Sequence, residues 1–118
     1  MISTRNAARQ ARIQEEREAG SVAERFPGVE KIVVTMTYWQ RGIKSIVRNR
    51  WFSPSSFAFF KISCLSKDCV DGGFDMSRII TEMVRSHSRV RNGELDCEGN
   101  DPKACPAHVA YEIAIAYL

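Results

Sequence analysis

The chain has 118 residues, 44% of them apolar and 26% charged, the proportions of one globular domain and not of a disordered tail. It contains no apolar run near the roughly 18 residues of a membrane-spanning helix, and its opening, Met1-Ile2-Ser3-Thr4-Arg5-Asn6, lacks the apolar stretch of a secretory leader. A soluble cytoplasmic protein without membrane contact is therefore expected. The formal charge of +3 is split: 11 of the 17 Lys/Arg but 5 of the 14 Asp/Glu fall in residues 1–61, which leaves an acidic second half.

Residues 4–19 combine good helix formers with no Pro or Gly before Gly20. Their apolar positions (Ala7, Ala8, Ala11, Ile13 and Ala19) make a thin stripe, suited to a solvated arm or to a partner chain. Ser21 and Glu24 have capping-box spacing for a short turn over 22–26, which Pro27-Gly28 ends. In residues 30–39, Ile32, Val34, Met36 and Tyr38 alternate with Val33, Thr35, Thr37 and Trp39. That is a strand with one apolar and one mixed face. Residues 40–55 read as a long connection with an irregular strand near 46–52, and residues 56–64, centred on Phe57 to Ile62, as a second strand.

Over 75–87, Met76, Ile79, Ile80, Met83 and Val84 form one stripe at helical spacing, with Asp75 as N-cap and Gly72-Gly73 as an entry turn. Asn92-Gly93 signals a tight turn. Over 109–117, Val109, Tyr111, Ile113, Ile115 and Tyr117 alternate with Ala110, Glu112, Ala114 and Ala116, a strand whose second face is small. The expected order is α-β-β-α-β: an α+β fold with a three-stranded, mainly antiparallel sheet, one packed helix, an additional N-terminal helix and a zinc-tied loop region. Residues 1–28 form the helical arm and residues 29–118 the domain.

Cys64 and Cys69 are spaced C-x4-C at the end of the second expected strand, and Cys97 and Cys105 are spaced C-x7-C before the last. Two separated pairs in Asp-, Gly- and Pro-rich loops favour a metal over disulfides when no secretory leader is seen. Four soft thiolates suit a closed, structural Zn²⁺ site. His108, at C-x-x-H from Cys105, is a substitute ligand. The loop over 88–104 must climb back along the helix for the pairs to meet, which would set the last strand antiparallel beside the second. Free thiols, disulfides and a redox C-x4-C pair are the alternatives.

The segment 38–52 interleaves cations with aromatic rings, and Trp39, Arg41, Lys44, Arg48, Arg50 and Trp51 are candidate contacts for single-stranded nucleic acid. The plainer reading anchors the rings in the sheet and leaves the arginines solvated. A hydrolytic triad, a Walker loop and a dinucleotide fingerprint are all missing from the sequence. The first expectation is thus a non-catalytic zinc-stabilised recognition module that binds a protein partner or self-associates through its N-terminal helix. A nucleic-acid binder comes second, and a thiol redox sensor or enzyme third. The joint pattern Cys64-x4-Cys69, Asp71-Gly72-Gly73-x-Asp75-x-Ser77, Cys97-x-Gly99 and Cys105, spread over residues 57–118, resembles a group of small uncharacterised bacterial four-cysteine proteins. The resemblance implies a cysteine-centred fold and no activity.

Overall fold

The computed structural model describes residues 4–40, 43–63, 73–97 and 107–118. Helix α1 (Thr4–Glu18) and the single turn α2 (Val22–Arg25) precede β1 (Val29–Gln40) and β2 (Ile43–Phe52). Then come β3 (Lys61–Ser63), β4 (Gly73–Asp75), α3 (Ser77–Arg85), β5 (Val90–Asp96) and β6 (Ala107–Tyr117). A four-stranded sheet has the order β2-β1-β6-β5 and is antiparallel throughout; β3 and β4 form a separate two-stranded sheet.

The two strands with the clearest sequence alternation, β1 and β6, occupy the centre. Their register pairs Ile32 with Ile115, Val34 with Ile113, Met36 with Tyr111 and Tyr38 with Val109. Pleating sends all eight to one face, the inner one. There Ile32, Val34, Met36, Val109 and Ile113 are buried together with Ile80 and Met83 of α3, Phe74 of β4, and Phe26, Phe52 and Phe60. The Phe74 ring meets Tyr38 edge-on at 5.7 Å, and Phe60 meets Phe52 in the same way at 5.0 Å. Packed aromatic edges of this kind add about 1 kcal/mol each to the burial itself.

The sheet has four strands where the sequence suggests three, and the extra ones are its edges. Ile43–Phe52 is a full strand paired along Ile32–Gln40, with a bulge between Tyr38 and Trp39. Edge strands tolerate charge on both faces, so Arg48, Asn49 and Arg50 blur its alternation. Val90–Asp96 is the other edge, and the Asn92-Gly93 turn signal falls in its middle. A Cβ on Gly93 would lie 2.7 Å from the Tyr111 hydroxyl, so the glycine admits a cross-strand ring and does not turn the chain.

The expected strand over 56–64 shrinks to Lys61–Ser63, which pairs with Gly73–Asp75. Residues 57–60 are an apolar run without alternation: Ala58 and Phe60 plug the core while Phe57 faces solvent. The last strand consequently runs between β1 and β5, and not beside the second expected strand. The helix expected over 75–87 spans Ser77–Arg85, and its N-cap is Met76, not Asp75, which ends β4 and whose carboxylate accepts the Ser77 N–H at 2.9 Å. Ser21 caps α2 as its spacing suggests, its hydroxyl accepting the Glu24 N–H.

Helix α3 ends on a left-handed residue, His87 (φ 55°), with Ser88 N–H bonded to Met83 C=O and His87 N–H to Val84 C=O. These are the paired bonds of a Schellman cap. The His87 ring stacks on Tyr117 at 3.9 Å, and the Tyr117 hydroxyl donates to Ser88 C=O at 2.6 Å. Burial raises the Tyr117 pKa above its ordinary value of 10.0, with the charge of Arg89 partly opposing. An unfolded tyrosine therefore loses its proton first, so the contribution is complete below about pH 10 and fades as pH climbs towards the folded value. Tyr117→Phe is expected to cost about 1–2 kcal/mol at pH 7 in urea titrations. It should also remove part of the wild-type loss of stability above pH 10.

Candidate recognition surface

The residues that alternate with the core set lie on the outer face of the large sheet. Register groups them into four cross-strand rows, each running from β2 through β1 and β6 to β5. They are Trp51–Val33–Ala114–Val90, Asn49–Thr35–Glu112–Asn92, Val47–Thr37–Ala110–Glu94 and Lys44–Trp39–His108–Asp96. Of these, Trp51 is 63% exposed, Val90 59% and Val47 47%. The two large rings, Trp39 and Trp51, thus stand on β1 and β2, whereas β6 presents Ala110, Ala114 and Ala116 alongside His108 and Glu112. The face has a ridge beside a trough.

Two cation or ring contacts hold the ridge. The Lys31 ammonium sits 3.9 Å from the centre of the Trp51 ring, a cation–π geometry that limits the ring's rotation. Trp39 lies nearly parallel to His108, 5° between planes and 6.3 Å between centres. A recess of about 400 Å³ opens at one end, lined by Glu30, Lys31, Trp51, Phe52, Ser53 and Ala116. Charge is divided across the face as well. Lys31 is on the ridge side, while Glu94, Asp96 and Glu112 are exposed on the trough side.

The six candidate nucleic-acid contacts are split by this geometry. Trp39 and Trp51 share the outer face, and Lys44 takes an outer register position opposite Trp39. Arg48 and Arg50 pair with Met36 and Val34 and belong to the inner face beyond the core, where the Arg50 guanidinium lies 5.6 Å from the Phe52 ring. Arg41 is outside the described residues, as are Cys64, Cys69 and Cys105. Cys97 follows β5 and is buried with the core. His108 is paired with Asp96 across the β5–β6 ladder. Among the described residues, no group of three His, Cys, Asp or Glu side chains is placed to hold a metal, and no helix is long and apolar enough to cross a membrane.

Val33, Val47 and Val90, with Ala110, Ala114 and Ala116 of β6, are the surface residues that no sequence motif marks. Their signal is present in the mixed face of β1 and the small face of β6. Joining them requires the register, which sequence alternation alone does not provide. No protein-family model, curated protein or solved structure matches the chain, so the surface is interpreted from its own chemistry.

Proposed function

We propose that this chain is a small non-catalytic recognition domain that works through the outer face of its four-stranded sheet. The observation that carries this reading is one apolar row, with exposed Trp51 and Val90 at its ends and Val33 and Ala114 between them, on the same face as exposed Val47 two rows away. Scattered apolar residues are ordinary on a surface, but a contiguous set bordered by polar groups marks an interaction site. Exposed Trp is the residue type that most often dominates such interfaces. The acidic residues on the same face, and the separation of Arg48 and Arg50 from the two tryptophans, favour a protein partner over a polyanion.

The same proposal includes a structural zinc held by Cys64, Cys69, Cys97 and Cys105 at the loop end of the domain. Supporting it, the first cysteine pair falls between β3 and β4, whose Ser63 and Gly73 are partners, and the second between β5 and β6, whose Asp96 and His108 are partners. Phe74 of β4 packs on Tyr38, whose own row partners are Val109 and, through it, Leu95. The roots of both connections therefore share one end of the domain. Thiolate chemistry and a buried Cys97 suit a closed site.

Replacing Val47, Trp51 and Val90 together by serine tests the surface reading. Because none is buried, the combined cost in a denaturation experiment is expected to be no more than about 2 kcal/mol. Binding of the hydrophobic dye bis-ANS should fall several-fold. A loss above about 5 kcal/mol, or unchanged dye binding, would show that this face is not a free docking surface.

A further inference from the structure

We infer that the free edge of β2 takes an added antiparallel strand, an extended acidic segment of another protein whose carboxylates face Arg48 and Arg50. One backbone bond fixes which groups that edge offers. Ile115 N–H donates to Arg89 C=O, one step beyond the Val90–Ala114 pair, so the odd-numbered residues of β6 bond to β5. Antiparallel pairing directs alternate residues of a strand to its opposite neighbours. The even-numbered residues of β6 therefore bond to the odd ones of β1, and the even ones of β1 to Ile46, Arg48, Arg50 and Phe52 of β2. Val47, Asn49 and Trp51 are left with N–H and C=O pointing away from the sheet. Among the described residues nothing pairs with these backbone groups, and all of residues 47–51 are exposed. Such a row is a template for one more strand.

Charge selects the strand. In an added antiparallel strand, the partners of Val47, Asn49 and Trp51 exchange backbone bonds. The partners of Arg48 and Arg50 form the closer pairs, with Cα atoms about 4.5 Å apart. Both arginines are exposed, and among the described residues no carboxylate forms an ion pair with either. Alternate acidic residues of the incoming strand meet both guanidinium groups, while apolar residues beyond them lie beside Val47 and Trp51. The chain's own edges supply no such strand. A second β2 paired along the same residues sets Arg48 against Arg50, and slipped by one repeat of the pleat it sets an arginine against itself. In a pairing of β2 with another copy's β5, the residues of β5 that bond to β6, Arg91, Gly93 and Leu95, take those positions, with no acid among them. Like charges directly opposite destabilise a strand pair. The arginines that keep copies apart therefore also select an acidic partner.

The probe is the capped peptide Val-Glu-Thr-Glu-Val, titrated at millimolar concentration into labelled full-length protein and followed by amide NMR and hydrogen exchange. In the free protein the amides of Val47, Asn49 and Trp51 should exchange fast, and those of Arg48 and Arg50 slowly. Bound peptide should shift and protect the first three. N-methylation of the peptide's Thr, whose N–H donates to Asn49 C=O in the added strand, should abolish binding. N-methylation of either Glu, whose N–H points away, should leave it. Arg48→Glu with Arg50→Glu should weaken binding at least about tenfold. That variant should bind Val-Lys-Thr-Lys-Val, which wild type refuses. Circular dichroism checks folding, and Arg48→Ser with Arg50→Ser, expected to bind several-fold more weakly than wild type, serves if the first variant unfolds.

No shift at millimolar peptide, shifts confined to β5, unchanged binding of the Thr-methylated peptide, or binding insensitive to the arginine variants would overturn strand addition. Protection of Val47, Asn49 and Trp51 amides as the protein alone is concentrated would assign the edge to a second copy and overturn it too. So would oligothymidylate that binds at Arg48 and Arg50 in a salt-sensitive way while the peptide does not. The reading of the outer face is independent of these outcomes, since it stands or falls on the stability and dye binding of the variant with serine at 47, 51 and 90.

Discussion

Phe74→Ala is expected to destabilise the protein by about 3–5 kcal/mol, the usual loss when a fully buried phenylalanine is truncated. Phe74 has no exposed surface, and its ring lies edge-on to Tyr38 at the inner face of the large sheet. It is also the central residue of β4, a strand of three residues held to β3 by three pairs. Ile62 of β3 and Met76 after β4 are buried in the same core, and they crowd the space that truncation of Phe74 would leave. Its neighbour Gly73 leaves no room for a side chain, since a Cβ there would approach the Ile62 carbonyl oxygen to 2.6 Å. Chemical denaturation gives the comparison directly. Phe57→Ala, at a position 45% exposed, should cost less than about 1 kcal/mol. Equal effects of the two would mean that β4 does not roof the sheet.

With zinc held as proposed, its removal is expected to have the second large effect. Purified protein is expected to contain one zinc per chain, with four thiols that react only after denaturation. Stripping the ion with a chelator should lower stability by about 4 kcal/mol or more, the value for a ligand present at a thousand times its dissociation constant. The difference should shrink as pH falls, because protons compete with the ion for the thiolates. Replacing Cys97 alone by serine should abolish stoichiometric zinc. Four rapidly reacting thiols with no metal, or no free thiols after denaturation without reductant, would replace the zinc by free cysteines or by disulfides.

What the sequence made legible was decided by burial. Strands β1 and β6 lie at the centre of the sheet, so nearly every second residue is forced to be apolar, and Ile32 to Tyr38 and Val109 to Ile115 display that period openly. Helix α3 likewise shows its stripe, because Met76, Ile80 and Met83 all face the same core. The edges carry no such constraint. Arg48 and Arg50 occupy inner-face positions of β2 without reaching the core, and Asn92-Gly93 lies inside β5 because Tyr111 needs the space across the ladder. Residues 57–60 mislead for the opposite reason: their aromatic content reflects a core plug, not a strand.

The surface was legible only in pieces. Trp39 and Trp51 stand out as exposed-type aromatics among cations, which points to nucleic acid when the chain is read linearly. Antiparallel pairing brings Ala110, Ala114, Glu112 and Glu94 to the same face as Trp39 and Trp51, from far along the chain. The face therefore changes from a basic aromatic strip to a ridge with an acidic, small-residue trough. Long-range register of this kind follows from turn positions and core alternation together, and one of the edge strands was hidden in what read as a connection.

A titration of uniformly labelled full-length protein with bis-ANS, followed by heteronuclear NMR, probes the working surface residue by residue. Resonances of Val33, Val47, Trp51, Val90, Ala110 and Ala114 are expected to shift together as the dye is added, while Ile80 and Met83 in α3 stay fixed. Shifts gathered on α1 or α3, with the outer sheet face unmoved, would contradict the assignment of that face as the working surface.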